Sequence, residues 1–243
     1  MASKSARGRF ASGLLCVAVL AAGLTASFAD HARAATLLSE NFDTFPASWT
    51  VVNNSAPVGT TDWFQGNAGV VQSHQGAPDS YAAANFNNAG FGGNVSDWLI
   101  TPVVPLSNGE VLAFYTRTEI GGAAFGDGLQ VRLSSSGASI DVGITDSSVG
   151  DFSTVLLDIN PTQYPEAWTL YSLTLSGLAP GSTPGRLAFR YLVNDTSVSG
   201  DYIGLDTFSL SDSVAQTPLP AALPLFAAAL GVLGLVGRRK AAA

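Results

Sequence analysis

The stretch "GRLAFRYLVNDTSVSGDYIGLDTFSL", residues 185–210, decides the fold class. Leu187, Phe189, Tyr191 and Val193 occupy every second position, and a run of Asn, Asp, Ser and Gly separates them from a second apolar segment that begins at Asp201. A period of two sends alternate side chains to opposite faces of a strand, and the polar run between the segments is turn chemistry. The stretch therefore reads as two strands, the second closing the domain.

The pattern extends outward from there. Leu129, Val131 and Leu133 alternate with Gln130, Arg132 and Ser134, and Tyr171, Leu173 and Leu175 alternate with Ser172 and Thr174, so each run is expected to have one wet face. Further strands are expected at residues 49–54, 63–66, 81–85, 98–100 and 111–117. The Gly- and Asn-rich residues 84–98 read as a surface loop. No long stretch has a 3.6-residue apolar period, and no repeat of solenoid or propeller length occurs. So many short strands in roughly 175 residues predict an all-β fold of two packed sheets, a sandwich or jelly roll, over residues 35–211.

The two ends follow a different grammar. Lys4, Arg7 and Arg9 precede the apolar residues 14–24, and Ala32-Arg33-Ala34 supplies a small-x-small box, so residues 1–34 read as a signal peptide cut by signal peptidase after Ala34. Ser27-Phe28-Ala29 offers an alternative cut after Ala29. At the other end, residues 212–217 form a short polar linker, and residues 219–237 carry no charge before Arg238, Arg239 and Lys240. A helix of that length spans about 28 Å, close to the hydrocarbon thickness of a bilayer, and the bases would hold its end on the cytoplasmic side. Gly231, Gly234 and Gly237, with Pro220 and Pro224, make it a poor permanent anchor, although an ordinary membrane anchor is the competing reading.

Once both ends are set aside, the body has no Lys and no Cys, and four arginines face seventeen Asp and Glu residues, a net charge of −13. Nucleic-acid binding needs clustered cations and is excluded on that ground. An exported body without cysteine has no disulfide framework and must be held by its core, with bound cations as the other available staple.

Residues 217–243, with Pro218-Leu219-Pro220, one apolar span and terminal bases, resemble the PEP-CTERM sorting signal that exosortases process in certain Gram-negative bacteria. The usual Pro-Glu-Pro is replaced here by Pro-Leu-Pro. Within the body, "ENFDTFPASW", "SDWLITPVVPL", "GDGLQVRLSSSG", "EAWTLYSLTL" and "RLAFRYLVND…GDYIGLDTFSL" occur in the order of a choice-of-anchor J, or cleaved-adhesin-like, domain. That resemblance implies a jelly-roll sandwich related to carbohydrate-binding modules, and it implies no catalysis. It also implies a structural Ca²⁺ near the chain ends, with Glu40, Asp43 and Asp206 as its ligands.

Parity gives Asp206 a reading of its own. It shares a strand face with Phe208 and Leu210 and is expected to point inward, where an unpaired carboxylate costs several kcal/mol; Arg190 is the candidate ion-pair partner. Trp98 and Trp168 are expected in the core, whereas Trp63, Phe64, Phe86 and Phe91 lie near turn-rich sequence and are the candidate ligand contacts. His74, the one histidine of the body, lacks a Gly-x-Ser-x-Gly elbow and reads as a loop residue. A glycosidase needs only two carboxylates, but the many acids here select no pair. The expected function is an exported adhesive or matrix-associated module that binds polysaccharide or protein. A glycan-active hydrolase and a purely structural matrix protein are the alternatives.

Overall fold

A computed structural model describes residues 34–212. Residues 1–33 of the expected signal peptide, residues 213–217 of the linker, the Pro218-Leu219-Pro220 motif, the span 219–237 and Arg238, Arg239 and Lys240 lie outside the described residues. Among those described, no helix is long and apolar enough to cross a membrane.

Thirteen strands form two antiparallel sheets. In the first, β11 (Thr169–Thr174), β8 (Val111–Thr118), β13 (Tyr202–Ser211), β5 (Ala82–Asn85) and β4 (Phe64–Gln65) lie side by side, and β1 (Thr36–Glu40) pairs with the far end of β13. In the second the order is β10 (Thr154–Ile159), β9 (Gly128–Ser134), β12 (Thr183–Val193), β6 (Ala89–Ile100) and β2 (Thr50–Asn53). There β3 (Ala56–Val58) extends along β6, and β7 (Val104–Leu106) along β12. The expected sandwich of two antiparallel sheets is present.

Its core lies between the sheets. Leu112 and Phe114 of β8 and Leu205, Phe208 and Leu210 of β13 meet Leu129 and Val131 of β9 and Leu187, Phe189 and Tyr191 of β12. Phe189 is the hub: its ring meets Phe114 edge-on at 5.0 Å and Phe208 at 5.8 Å, and lies near-parallel to Trp49 at 6.3 Å. Such pairs add about 0.5–1.5 kcal/mol each beyond the area they bury.

Two features depart from the sequence reading. Residues 89–100 form the long strand β6, where a loop was expected as far as Trp98. Glycine serves close approach here: a Cβ on Gly93 would stand 2.7 Å from Ala56 O of β3. The expected wet face is present on β11, where Ser172 and Thr174 are exposed, but on β9 it is largely lost, and a long loop lies over part of each sheet. Residues 67–80, the first strap, seal Val71, Tyr81, Ala83 and Tyr202 against the first sheet. Residues 135–153, the second strap, bring Val142 and Phe152 onto Trp98, Ile100 and Ala188 of the second. Arg132, expected on a wet face, is therefore buried.

Candidate ligand-binding surfaces

The last strand contains the residue that parity misplaced. Between Asp206 and Ser209 the pairing of β13 with β8 slips, and Thr207 takes a positive φ of 51°. This bulge reverses the strand's phase. Ile203 and Leu205 before it, and Phe208 and Leu210 after it, all enter the core, so Asp206 faces outward beneath the first strap, opposite Tyr115. Its Oδ2 accepts the N–H groups of His74 (2.8 Å) and Gln75 (3.1 Å), and its Oδ1 accepts Thr207 N–H (2.5 Å) and Oγ1 (3.2 Å). Burial raises the pKa of this fully buried acid, and the backbone donors oppose that shift.

Arg190 is not its partner. That guanidinium lies on the second sheet, 4.9 Å from the centre of the Trp98 ring, and donates to Ser96 Oγ (3.0 Å) and to Asp146 O of the second strap. Burial, with Arg132 nearby, lowers its pKa to about 10.

The Ca²⁺ ligand set fares no better as a cage. Glu40 Oε1 accepts Phe42 N–H (2.9 Å), and Asp43 lies against Gly76 of the first strap. All four of the hydrogen bonds to Asp206 already take its lone pairs. Among the described residues no group of three or more His, Cys, Asp or Glu side chains is placed to hold a metal ion. A hard cation needs six or more converging oxygens, and this arrangement does not fit one.

His74 stacks on Tyr115 at 3.6 Å, with Nδ1 3.1 Å from Thr207 Oγ1. Asp206 holds Thr207 and the His74 main chain, not the imidazole, so the three do not form the base–orienter relay of a hydrolase triad.

Of the four aromatic candidates, Trp63 is buried and donates Nε1–H to Asp97 O (3.1 Å), so it belongs to the core. Phe64 is half-buried and packs edge-on against Tyr202 at 6.0 Å. Phe86 and Phe91 are exposed, Phe86 lining a depression of about 330 Å³ with Phe125 and residues 196–201.

Of the two indoles that sequence assigned to the core, Trp98 is buried, but Trp168 is reached by solvent. Trp168, just before β11, is half-buried. It lies over Gly204, where a Cβ would stand 2.8 Å from the ring, and its Nε1 donates to Gln72 O (2.8 Å). Tyr81 meets it edge-on at 5.7 Å. With Val70, Gln72, Ser73, Arg117, Glu119 and Ile120 it lines a groove of about 510 Å³, within the range of small-molecule sites. Arg117 is fixed there by donating to Thr118 O (2.8 Å) and Glu166 O (2.6 Å). Behind Glu119, Asp201 has its pKa raised to about 7, by burial and by Glu119 beside it. Asp127 is fully buried, its Oδ1 accepting Tyr191 O–H (2.6 Å) and Asp201 N–H (3.0 Å), and burial again pushes its pKa up.

A half-buried indole with its N–H tied down, in a groove with both signs of charge alongside, can hold a polyhydroxylated ring by stacking and hydrogen bonds. Alternation hid this, because Trp168 precedes a regular strand whose next inward position is Tyr171.

No protein-family model matches the chain, and no curated protein matches it. Solved structures do. The K3 cleaved adhesin domain of Lys-gingipain from Porphyromonas gingivalis W83 superposes with a TM-score of 0.52 at 22% identity, over 74% of this chain and 99% of that one. The K1 cleaved adhesin domain of the same protein gives a TM-score of 0.52 at 25% identity, over 72% of this chain and 97% of that one. The body of this chain is thus an antiparallel β-sandwich similar to cleaved adhesin domains.

Proposed function

We propose that the chain is an exported binding module, directed to the cell surface or its matrix by the C-terminal sorting signal, and that it adheres through polysaccharide. The observation that carries the ligand reading is the groove, which Trp168 lines together with Arg117 and Glu119. Vicinal hydroxyls of a pyranose can donate to the carboxylate and accept from the guanidinium while the ring's apolar face covers the indole. The likeness to adhesin domains supports the surface role. Signal peptidase at the N-terminus and an exosortase-like enzyme at Pro218-Leu219-Pro220 are the processing partners of this reading.

The mature body, residues 35–217, falls within one compact unit with its own core, which makes it the natural test object. On a glycan array it is expected to bind polysaccharide, and incubation with the bound glycan is expected to release no new reducing ends. Turnover would favour the hydrolase, and neither binding nor turnover the structural matrix protein.

A further inference from the structure

The Trp168 groove and the depression beside Phe86 share a wall. Glu119 and Ile120, which line the groove, lead directly into the short 3-10 turn Gly122–Phe125, whose last residue lines the depression. A Cβ on Gly122 would stand 2.2 Å from Thr118 Oγ1 and 2.9 Å from Asp201 Oδ2, so this turn lies directly against Asp201, which lines the depression and neighbours Glu119. Strand β13 links the same two places: Trp168 lies over Gly204, and Tyr202, two positions and roughly 7 Å along the strand, follows Asp201.

Main-chain bonds fix the depression. Gly200 N–H donates to Phe125 O (2.6 Å), Phe86 N–H to Asp201 O (3.1 Å) and Thr196 N–H to Gly93 O (2.9 Å). Phe86 and Phe125 are 41% and 49% exposed, and Thr196, Ser197 and Ser199 bring hydroxyl groups to the same lining. Half-open aromatic rings beside hydrogen-bonding groups repeat the chemistry of the groove, where an indole stands with Arg117 and Glu119. No Lys or Arg lines the depression, and in the groove Glu119 offsets Arg117.

Given the glycan reading of the groove, on which this rests, we propose that groove and depression are two subsites of one elongated site, and that its ligand is a neutral glycan chain of several units crossing the turn at the exposed Ile120. A single pyranose on Trp168 would leave Phe86 and Phe125 bare. A chain brings further units onto rings and hydroxyls that the fold already holds in place, so the added contacts cost little ordering of the protein. A body at −13 repels polyanions, which selects neutral chains over acidic ones.

The test uses residues 35–217 and the polysaccharide selected on the array, cut by partial acid hydrolysis into a series from dimer to hexamer and titrated by calorimetry. The hexamer is expected to bind at least about tenfold more tightly than the dimer. Phe86→Ala and Phe125→Ala, each made singly, are expected to remove that gain while leaving dimer binding unchanged, and the retained dimer binding reports that the groove is folded. Trp168→Ala is expected to weaken every length. Equal affinity for dimer and hexamer, or a length gain that survives both Phe variants, would overturn the two-subsite inference and leave the groove reading standing. Array binding confined to polyuronates would overturn the choice of a neutral chain, and an array without any bound glycan would overturn both readings.

Discussion

The first strap, residues 67–80, and the second, residues 135–153, cover the outer faces of the two sheets, but an anion fastens one and cations fasten the other. Asp206 holds the first by accepting main-chain N–H groups. Arg132 and Arg190 hold the second by donating to the carbonyls of Phe152 (2.9 Å) and Asp146. Arg186 likewise donates to Thr101 O (2.5 Å), so with Arg117 all four arginines of the body point at main-chain carbonyls. In a body with seventeen acids, the four scarce cations thus all fix backbone, as Asp206 does among the acids. Buried charge that satisfies several main-chain groups locks a loop whose backbone would otherwise lack partners.

The comparison can be broken from either side. Arg190→Ala should have the largest effect, a loss of about 2–4 kcal/mol, because it removes the stack on Trp98 together with the bonds to Ser96 and Asp146. Urea unfolding measures it, and a loss below about 1 kcal/mol would mean that the second strap is held by Phe152 and Val142 alone. Asp206→Ala should cost about 2 kcal/mol by leaving the N–H groups of His74, Gln75 and Thr207 without their acceptor. Hydrogen exchange at residues 74 and 75 should quicken in that variant while the second strap stays protected. Equal quickening of both straps would show that they do not open separately.

A smaller effect comes from buried acids in which loss of water outweighs the hydrogen bonds they accept. Asp97 is fully buried, with Oδ2 accepting Asn88 Nδ2–H (2.6 Å) and Oδ1 unpartnered, and burial pushes its pKa well up. Asp127 and Asp201 shift the same way. A folded-state pKa above the unfolded value near 3.9 means that the acid's stabilising contribution is complete below that value and is lost as pH rises, for Asp201 through about 7. Melting temperature should therefore fall from pH 5 to pH 8, and Asp201→Asn should flatten that slope and raise the melting temperature at pH 8 by about 2–4 °C. A melting temperature that rises over this interval would contradict the assignment. The smallest effect is expected from Ca²⁺: addition or chelation should leave melting unchanged, since the lone pairs of Asp206 are taken. A clear increase would restore the site that the sequence implied.

Alternation located the strands that carry the core, and the sandwich was legible in residues 129–134, 171–175 and 187–193. What alternation does not encode is a change of phase. The bulge at Thr207 rests on a β-branched residue at positive φ, which nothing local announces, so Asp206 was read onto the wrong face. Neither is a strap visible in a strand's own sequence: Trp98 and Leu99 are both buried because they face different layers. Among the candidate ligand contacts, turn-rich surroundings correctly marked Phe86 and Phe91 as exposed but not Trp63, whose indole bonds across to β6. Trp168 was missed because its exposure depends on where Gln72 and Gly204 stand in space.

Trp168 also supplies the most direct test of the central claim. Trp49, Trp63 and Trp98 are buried, which leaves one indole of the body open to solvent-borne oxidant. Mild indole oxidation of residues 35–217, followed by peptide mass spectrometry, should modify Trp168 first, and a saturating concentration of the polysaccharide selected on the array should protect it. Bound polysaccharide with Trp168 oxidised as fast as in its absence would place the ligand elsewhere and contradict the account.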